Sequence, residues 1–149
     1  MYQVKDAMCG KVVSILPEAS VEDAIHTLLN NKISGAPVID AAGRLCGIIS
    51  QFQLLEIMYD PQIRTQSVKQ FMTRDVVTVE ESAFLGTAAN LLVLHRIHRL
   101  PVVNGGRVVG IISRSDLLKY FVATGEEIEA FFDTLKSAGA NAAEPCGVR

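Results

Sequence analysis

The sequence predicts a mixed α/β (α+β) fold made of two βαββα repeats. Three observations predict it. Residues recur at an almost constant spacing along the chain. Each half alternates between short β-branched runs and helical apolar spacing. Matching turn signals fall at matching places in the two halves.

The recurrence is explicit. Val4-Lys5, Met8, Val12-Val13, Ile33 and Pro37-Val38 return 64 residues later as Val68-Lys69, Met72, Val76-Val77, Ile97 and Pro101-Val102. Beyond the turn the offset becomes 63: Gly43-Arg44 matches Gly106-Arg107, Gly47-Ile48-Ile49-Ser50 matches Gly110-Ile111-Ile112-Ser113, and Leu54-Leu55 matches Leu117-Leu118. Pairing residues 4–40 and 43–55 in this way gives 19 identities in 50. The matches are colinear, so an internal repeat explains them. The single deletion falls between Pro101 and Gly106, where a turn tolerates it.

The elements follow in order. Val12–Ile15 and Val76–Val79 read as the first strand of each copy. Ser20 to Asn31 reads as a helix, with Ser20 and Asp23 as an N-cap and its box partner. Val21, Ala24, Ile25, Leu28 and Leu29 form its apolar face. The equivalent helix runs from about Ser82 to His95. Two strands follow, Ala36–Ile39 and Leu45–Ser50, joined by Asp40-Ala41-Ala42-Gly43. Their counterparts, Pro101–Val103 and Val108–Ser113, are joined by Asn104-Gly105-Gly106, a hairpin signal because Asn and Gly tolerate positive φ. A last helix begins near Ser50 and near Ser113.

A half of about 50 residues is a marginal core by itself. Its strands are apolar on both faces. Two halves packed with approximate two-fold symmetry, sheets inside and helices outside, resolve this. The expected organisation is repeat 1 at 1–60, a linker at 61–67 and repeat 2 at 68–124. An amphipathic helix is expected at 125–138, with Ile128, Phe131, Phe132 and Leu135 on one face. Residues 139–149 read as a disordered tail.

Composition narrows the function classes. The chain has 149 residues and a net charge of −2, which gives no basic field for nucleic acid. Residues 125–149 hold five acids and two bases, against 12 bases and 11 acids elsewhere. Cys9, Cys46 and Cys146 lack the spacing of a disulfide framework or zinc site. No opening apolar run reads as a signal peptide. No stretch approaches the roughly 20 residues of a membrane helix, so a cytoplasmic location is expected. Neither a P-loop nor a Gly-x-Ser-x-Gly elbow is present, and no catalytic residue is assigned.

Leu94-His95-Arg96-Ile97-His98-Arg99-Leu100-Pro101-Val102-Val103 and Gly110-Ile111-Ile112-Ser113-Arg114-Ser115-Asp116 carry a resemblance. With the repeat they make the chain resemble the CBS-domain (Bateman module) family over about residues 1–122. The resemblance implies a binding module without catalysis or a required cofactor. Its expected ligand is an adenine nucleotide, AMP, ADP or ATP, with S-adenosylmethionine or NAD as less favoured choices. It implies that Asp116 holds the ribose diol and that Ser113 and Ser115 approach ribose or phosphate. An ionised carboxylate suits two hydroxyl donors. The same Ser113-x-x-Asp116 spacing is also a plain helix cap, as is Ser50-x-x-Gln53 in the first copy.

By position, the resemblance gives the Asp116 cleft Val12, Val13, Ile33, Ser34 and Gly35. It gives the Gln53 cleft Val76, Val77, Ile97 and His98. Ile111, Ile112 and Arg114 complete the set around Ser113, and Ser50 stands beside Gln53. His98 and Arg99 match the basic pair that faces phosphates in the gamma subunit of AMP-activated protein kinase. Ser34-Gly35 replaces that pair in the first copy, so the two clefts are expected to be unequal. His95 precedes His98 by three residues, but no Cys or carboxylate completes a metal set. The expected partners are a second copy in a homodimer and a regulated protein, with no nucleic acid and no membrane. The alternative is a ligand-free dimerisation scaffold on the same fold.

Overall fold

The computed structural model describes residues 2–124. The expected amphipathic helix and tail lie outside them. The elements run α1 (Val4–Ala7), α2 (Val21–Asn30), β1 (Gly35–Ile39), β2 (Leu45–Ser50), α3 (Gln51–Ile57), β3 (Val79–Glu80), α4 (Leu85–Leu94), β4 (Arg99–Asn104), β5 (Arg107–Ser113) and α5 (Arg114–Thr124). Short 3-10 turns occupy Pro61–Thr65 and Val68–Gln70. β1 and β2 form an antiparallel pair, and β3-β4-β5 form a three-stranded sheet. The α+β class and the two repeats expected from the sequence are thus present.

Two compact units emerge, each mixing the sequence repeats. One gathers residues 2–12, Val77–Gly105 and residues 109–124; the other comprises Val13–Val76 with Gly106–Val108. They are named here for Asp116 and Gln53. In the Asp116 unit, Val4 is fully buried among Val79, Leu85, Leu92, Leu100, Val102 and Ile112. In the Gln53 unit, Val68 and Met72 are buried with Ile15, Leu28, Val38 and Ile49. The opening segment of each sequence repeat therefore packs on the body of the other repeat. Burying one such valine contributes roughly 1.5–3 kcal/mol.

Two glycines allow this exchange. Cys9 pairs antiparallel with Ile111, and Thr73 pairs antiparallel with Ile48. A Cβ on Gly110 would lie 2.5 Å from Met8 Sδ, and one on Gly47 would lie 2.5 Å from the Thr73 carbonyl oxygen. Gly47 and Gly110 are thus required for close approach of a third chain segment, not for a turn. The same pairing explains Pro37 inside β1. It stands opposite Ile48, whose N–H donates outward to the Thr73 oxygen at 2.9 Å. No ladder donor is lost.

The helices obey local rules. Ser20 caps α2 by accepting from Asp23 N at 3.0 Å, and Val21, Ala24 and Leu28 are buried. Lys32 and Arg96 each adopt φ 53° just past α2 and α4. Ile33 N then donates back to Leu28 O, and Ile97 N to Leu92 O, both at 3.1 Å. This is the 6→1 bond of a Schellman ending, built with a side chain where glycine is usual.

Several expected boundaries move. The first strand of the first copy shrinks to one parallel bridge between Ile15 and Val38. In the second copy only Val79 and Glu80 pair, parallel to Val102 and Val103. The remaining residues of each run cross between units instead of joining a ladder. α4 begins at Leu85 with no side-chain cap, because the Tyr2 carbonyl accepts from Leu85 N at 3.1 Å. The β4–β5 turn has Gly105 at φ 58° and Gly106 at φ 80°, as a two-residue hairpin of the expected type requires.

Candidate functional site

In the Asp116 unit, β5 ends at Ser113 and α5 begins at Arg114. Asp116 Oδ2 accepts from Ser113 N at 2.9 Å. Asp116 N donates to Ser113 Oγ at 3.1 Å. This is a reciprocal capping box. Asp116 Oδ1 has no hydrogen-bond partner among the described residues. A carboxylate carries about four acceptor sites, so capping leaves most of its capacity unused. Asp116 and Ser113 are half-buried and Ser115 is exposed.

The strand start beside them is held by Arg114. Its backbone N donates to the His98 carbonyl oxygen at 3.0 Å, and its guanidinium donates to His98 Nδ1. Arginine has no acceptor, so His98 Nδ1 is the accepting atom in this contact. Ile97, His98 and Arg99 are all half-buried. The Schellman ending at Arg96 delivers these three residues to the start of β4. His95 is the C-cap of α4, which matches a helix-end role. Among the described residues no group of three His, Cys, Asp or Glu side chains could hold a metal.

The Gln53 unit has the same backbone arrangement with different chemistry. Gln51 N donates to Ser34 O at 2.8 Å, as Arg114 N does to His98 O. The Gln51 amide donates to Ile33 O at 3.0 Å. Gln53 Oε1 accepts from Ser50 N at 2.9 Å and from Ser50 Oγ at 3.2 Å. Gln53 Nε2 donates to Thr73 Oγ1 at 2.6 Å and reaches Phe71 O at 3.5 Å.

The units divide the expected site residues. Val12, Val77, Ile97, His98, Arg99, Ile111, Ile112, Ser113, Arg114, Ser115 and Asp116 fall in one; Val13, Ile33, Ser34, Gly35, Ser50, Gln53 and Val76 fall in the other. Ile112 is fully buried and serves as core. Thr73 and Gln51 were not expected in this region. Thr73 had a signal in the sequence, since it occupies the place of Cys9 in the repeat.

The CBS domain family profile matches residues 4–60 and 68–123. The chain belongs to the CBS domain family. An inosine-5'-monophosphate dehydrogenase from Methanocaldococcus jannaschii is 36% identical over 109 residues, 72% of this chain and 21% of that protein. The human 5'-AMP-activated protein kinase subunit gamma-3 is 33% identical over 119 residues, 72% of this chain and 24% of that protein. This CBS chain spans less than half the length of these curated relatives. Among solved structures, CBSX2 in complex with AMP is 30% identical, with a TM-score of 0.77 over 85% of this chain and 100% of its own. The CBS domain pair of MJ0100, in complex with 5'-methylthioadenosine and S-adenosyl-L-methionine, is 26% identical, with a TM-score of 0.71 over 83% and 98%. No described helix is long and apolar enough to cross a membrane.

Proposed function

We propose that this CBS pair is a regulatory module that binds AMP, ADP or ATP and relays occupancy to a partner protein. The observation that carries the reading is Asp116. Its Oδ2 is fixed by the Ser113 N–H, which orients the carboxylate without exhausting it. The remaining acceptor sites suit the two hydroxyls of a ribose. The Ser113 hydroxyl and exposed Ser115 offer donors beside it. Arg114 spends one arm of its fork on His98, and its other N–H groups, with Arg99, suit phosphate oxygens. AMP bound to CBSX2 and the likeness to a kinase gamma subunit support an adenine nucleotide. The ligands of MJ0100 keep S-adenosylmethionine as the second reading, because it shares the adenosine moiety.

The chain acts in this reading as a homodimer. α3 exposes Phe52, Leu55 and, at its end, Met58 and Tyr59, while α5 exposes Leu118 and Val122. Light scattering after gel filtration tests this, and a monomer at micromolar concentration contradicts it.

A thermal shift with AMP, ADP, ATP, S-adenosylmethionine and NAD tests the function. A ligand at 100 times its Kd adds about 2.7 kcal/mol of stability. A shift with an adenine nucleotide that disappears in Asp116→Ala supports the assignment. No shift with any ligand favours a dimerisation scaffold, and an equal shift in Asp116→Ala refutes the site.

A further inference from the structure

We propose that Gln53 closes its own subsite, so that each chain binds one nucleotide at Asp116. The inference rests on the reading of Asp116 as the ribose acceptor. Gln53 stands at the same step of the repeat as Asp116, three residues after the capping serine. Its chemistry is opposite in effect. A glutamine has one acceptor oxygen and one amide nitrogen. Here the oxygen accepts from Ser50 N and Ser50 Oγ, and the nitrogen donates to Thr73 Oγ1 and approaches Phe71 O. Both ends of the amide are committed inside the protein. A ribose diol would find no free acceptor on that amide.

The partner matters as much as the glutamine. Thr73 is presented by the exchanged segment that pairs with Ile48. In the Asp116 unit the corresponding segment pairs with Ile111 and presents Cys9. Cys9 turns its thiol toward Lys11 O at 3.8 Å. Asp116 is one methylene shorter than Gln53 and makes no bond to that segment. The Gln53 latch therefore needs the longer side chain and the threonine together, and the Asp116 unit has neither. Gln53 with Thr73 thus sets the stoichiometry by replacing a ligand with an intramolecular bond.

Two measurements on the full chain decide this. In calorimetric titration with AMP, one site per chain is expected, and Asp116→Asn should weaken it by at least about tenfold. Two sites per chain, or undiminished affinity in Asp116→Asn, overturns the inference while leaving nucleotide binding intact. The second measurement needs no nucleotide. Gln53→Ala, Thr73→Val and the double variant are unfolded in urea. The double variant should lower the midpoint little further than the more damaging single change. Additive shifts of the midpoint overturn the latch. If AMP does not bind at all, the nucleotide reading and the one-ligand claim fall together, and the urea cycle still decides whether the latch exists.

Discussion

Replacing Gly47 by alanine tests the exchange of segments on which both units depend. The new methyl would stand 2.5 Å from the Thr73 carbonyl oxygen and 2.8 Å from Met72 Sδ. The first neighbour is backbone and cannot swing aside. It also accepts from Ile48 N at 2.9 Å, while Thr73 N donates to Ile48 O at 2.8 Å. Relieving the overlap stretches both bonds, each contributing about 0.5–1.5 kcal/mol. Forcing a methyl into a filled space costs a further 1–3 kcal/mol or so. The lower chain entropy of alanine in the unfolded state returns about 0.4–1 kcal/mol. The net expectation is a loss of about 1–5.5 kcal/mol, centred near 3 kcal/mol. Gly110→Ala provides the control. Its closest neighbour is Met8 Sδ at 2.5 Å, with Cys9 O at 3.0 Å. A thioether rotates at a cost of about 0.5–1.5 kcal/mol, and after the same entropy return this variant should lose at most about 1 kcal/mol. Urea unfolding followed by circular dichroism measures both, with the midpoint falling at constant slope. Equal losses, or a smaller loss for Gly47→Ala, would refute the reasoning.

Further predictions follow from the helix ends and the cap. Arg96→Gly and Lys32→Gly should each raise stability by up to about 1 kcal/mol, because each removes a side chain from a left-handed position; an unchanged or lowered urea midpoint contradicts this. Ser113→Ala should destabilise by about 1 kcal/mol through loss of the α5 cap. Asp116→Asn keeps an acceptor for Ser113 N and should cost less stability than Ser113→Ala in the same assay.

The repeat made most of the fold legible. Identity at offsets of 64 and 63 located both hairpins and both capping serines. It did not reveal which copy each opening segment packs on. Correspondence between Met8 and Met72 is the same whether each stays at home or crosses over. The crossing shows in the burial of Val4 and Val68 and in the close approach at Gly47 and Gly110, which involves residues more than twenty positions away. The short first strands were overread for a related reason, since Val12, Val13, Val76 and Val77 have β propensity but no ladder partner.

The candidate site was legible to the same degree. Spacing marked Ser113 and Asp116 as a capping pair, the family resemblance made them candidate ligand residues, and the Arg114 contact to His98 joins residues already singled out. Gln53 was expected as a cap residue beside the second cleft. Its bond to Thr73 was hidden because that partner lies 20 residues on, in the exchanged segment.

Titration of AMP into the unmodified chain and into Asp116→Asn tests the central claim most directly. One charge-assisted bond is worth about 1.5–3 kcal/mol, or roughly a 10- to 150-fold change in Kd. Saturable binding by the unmodified chain, weakened by at least about tenfold in Asp116→Asn at unchanged fold stability, is the predicted result. Equal affinity for the two proteins would contradict the account.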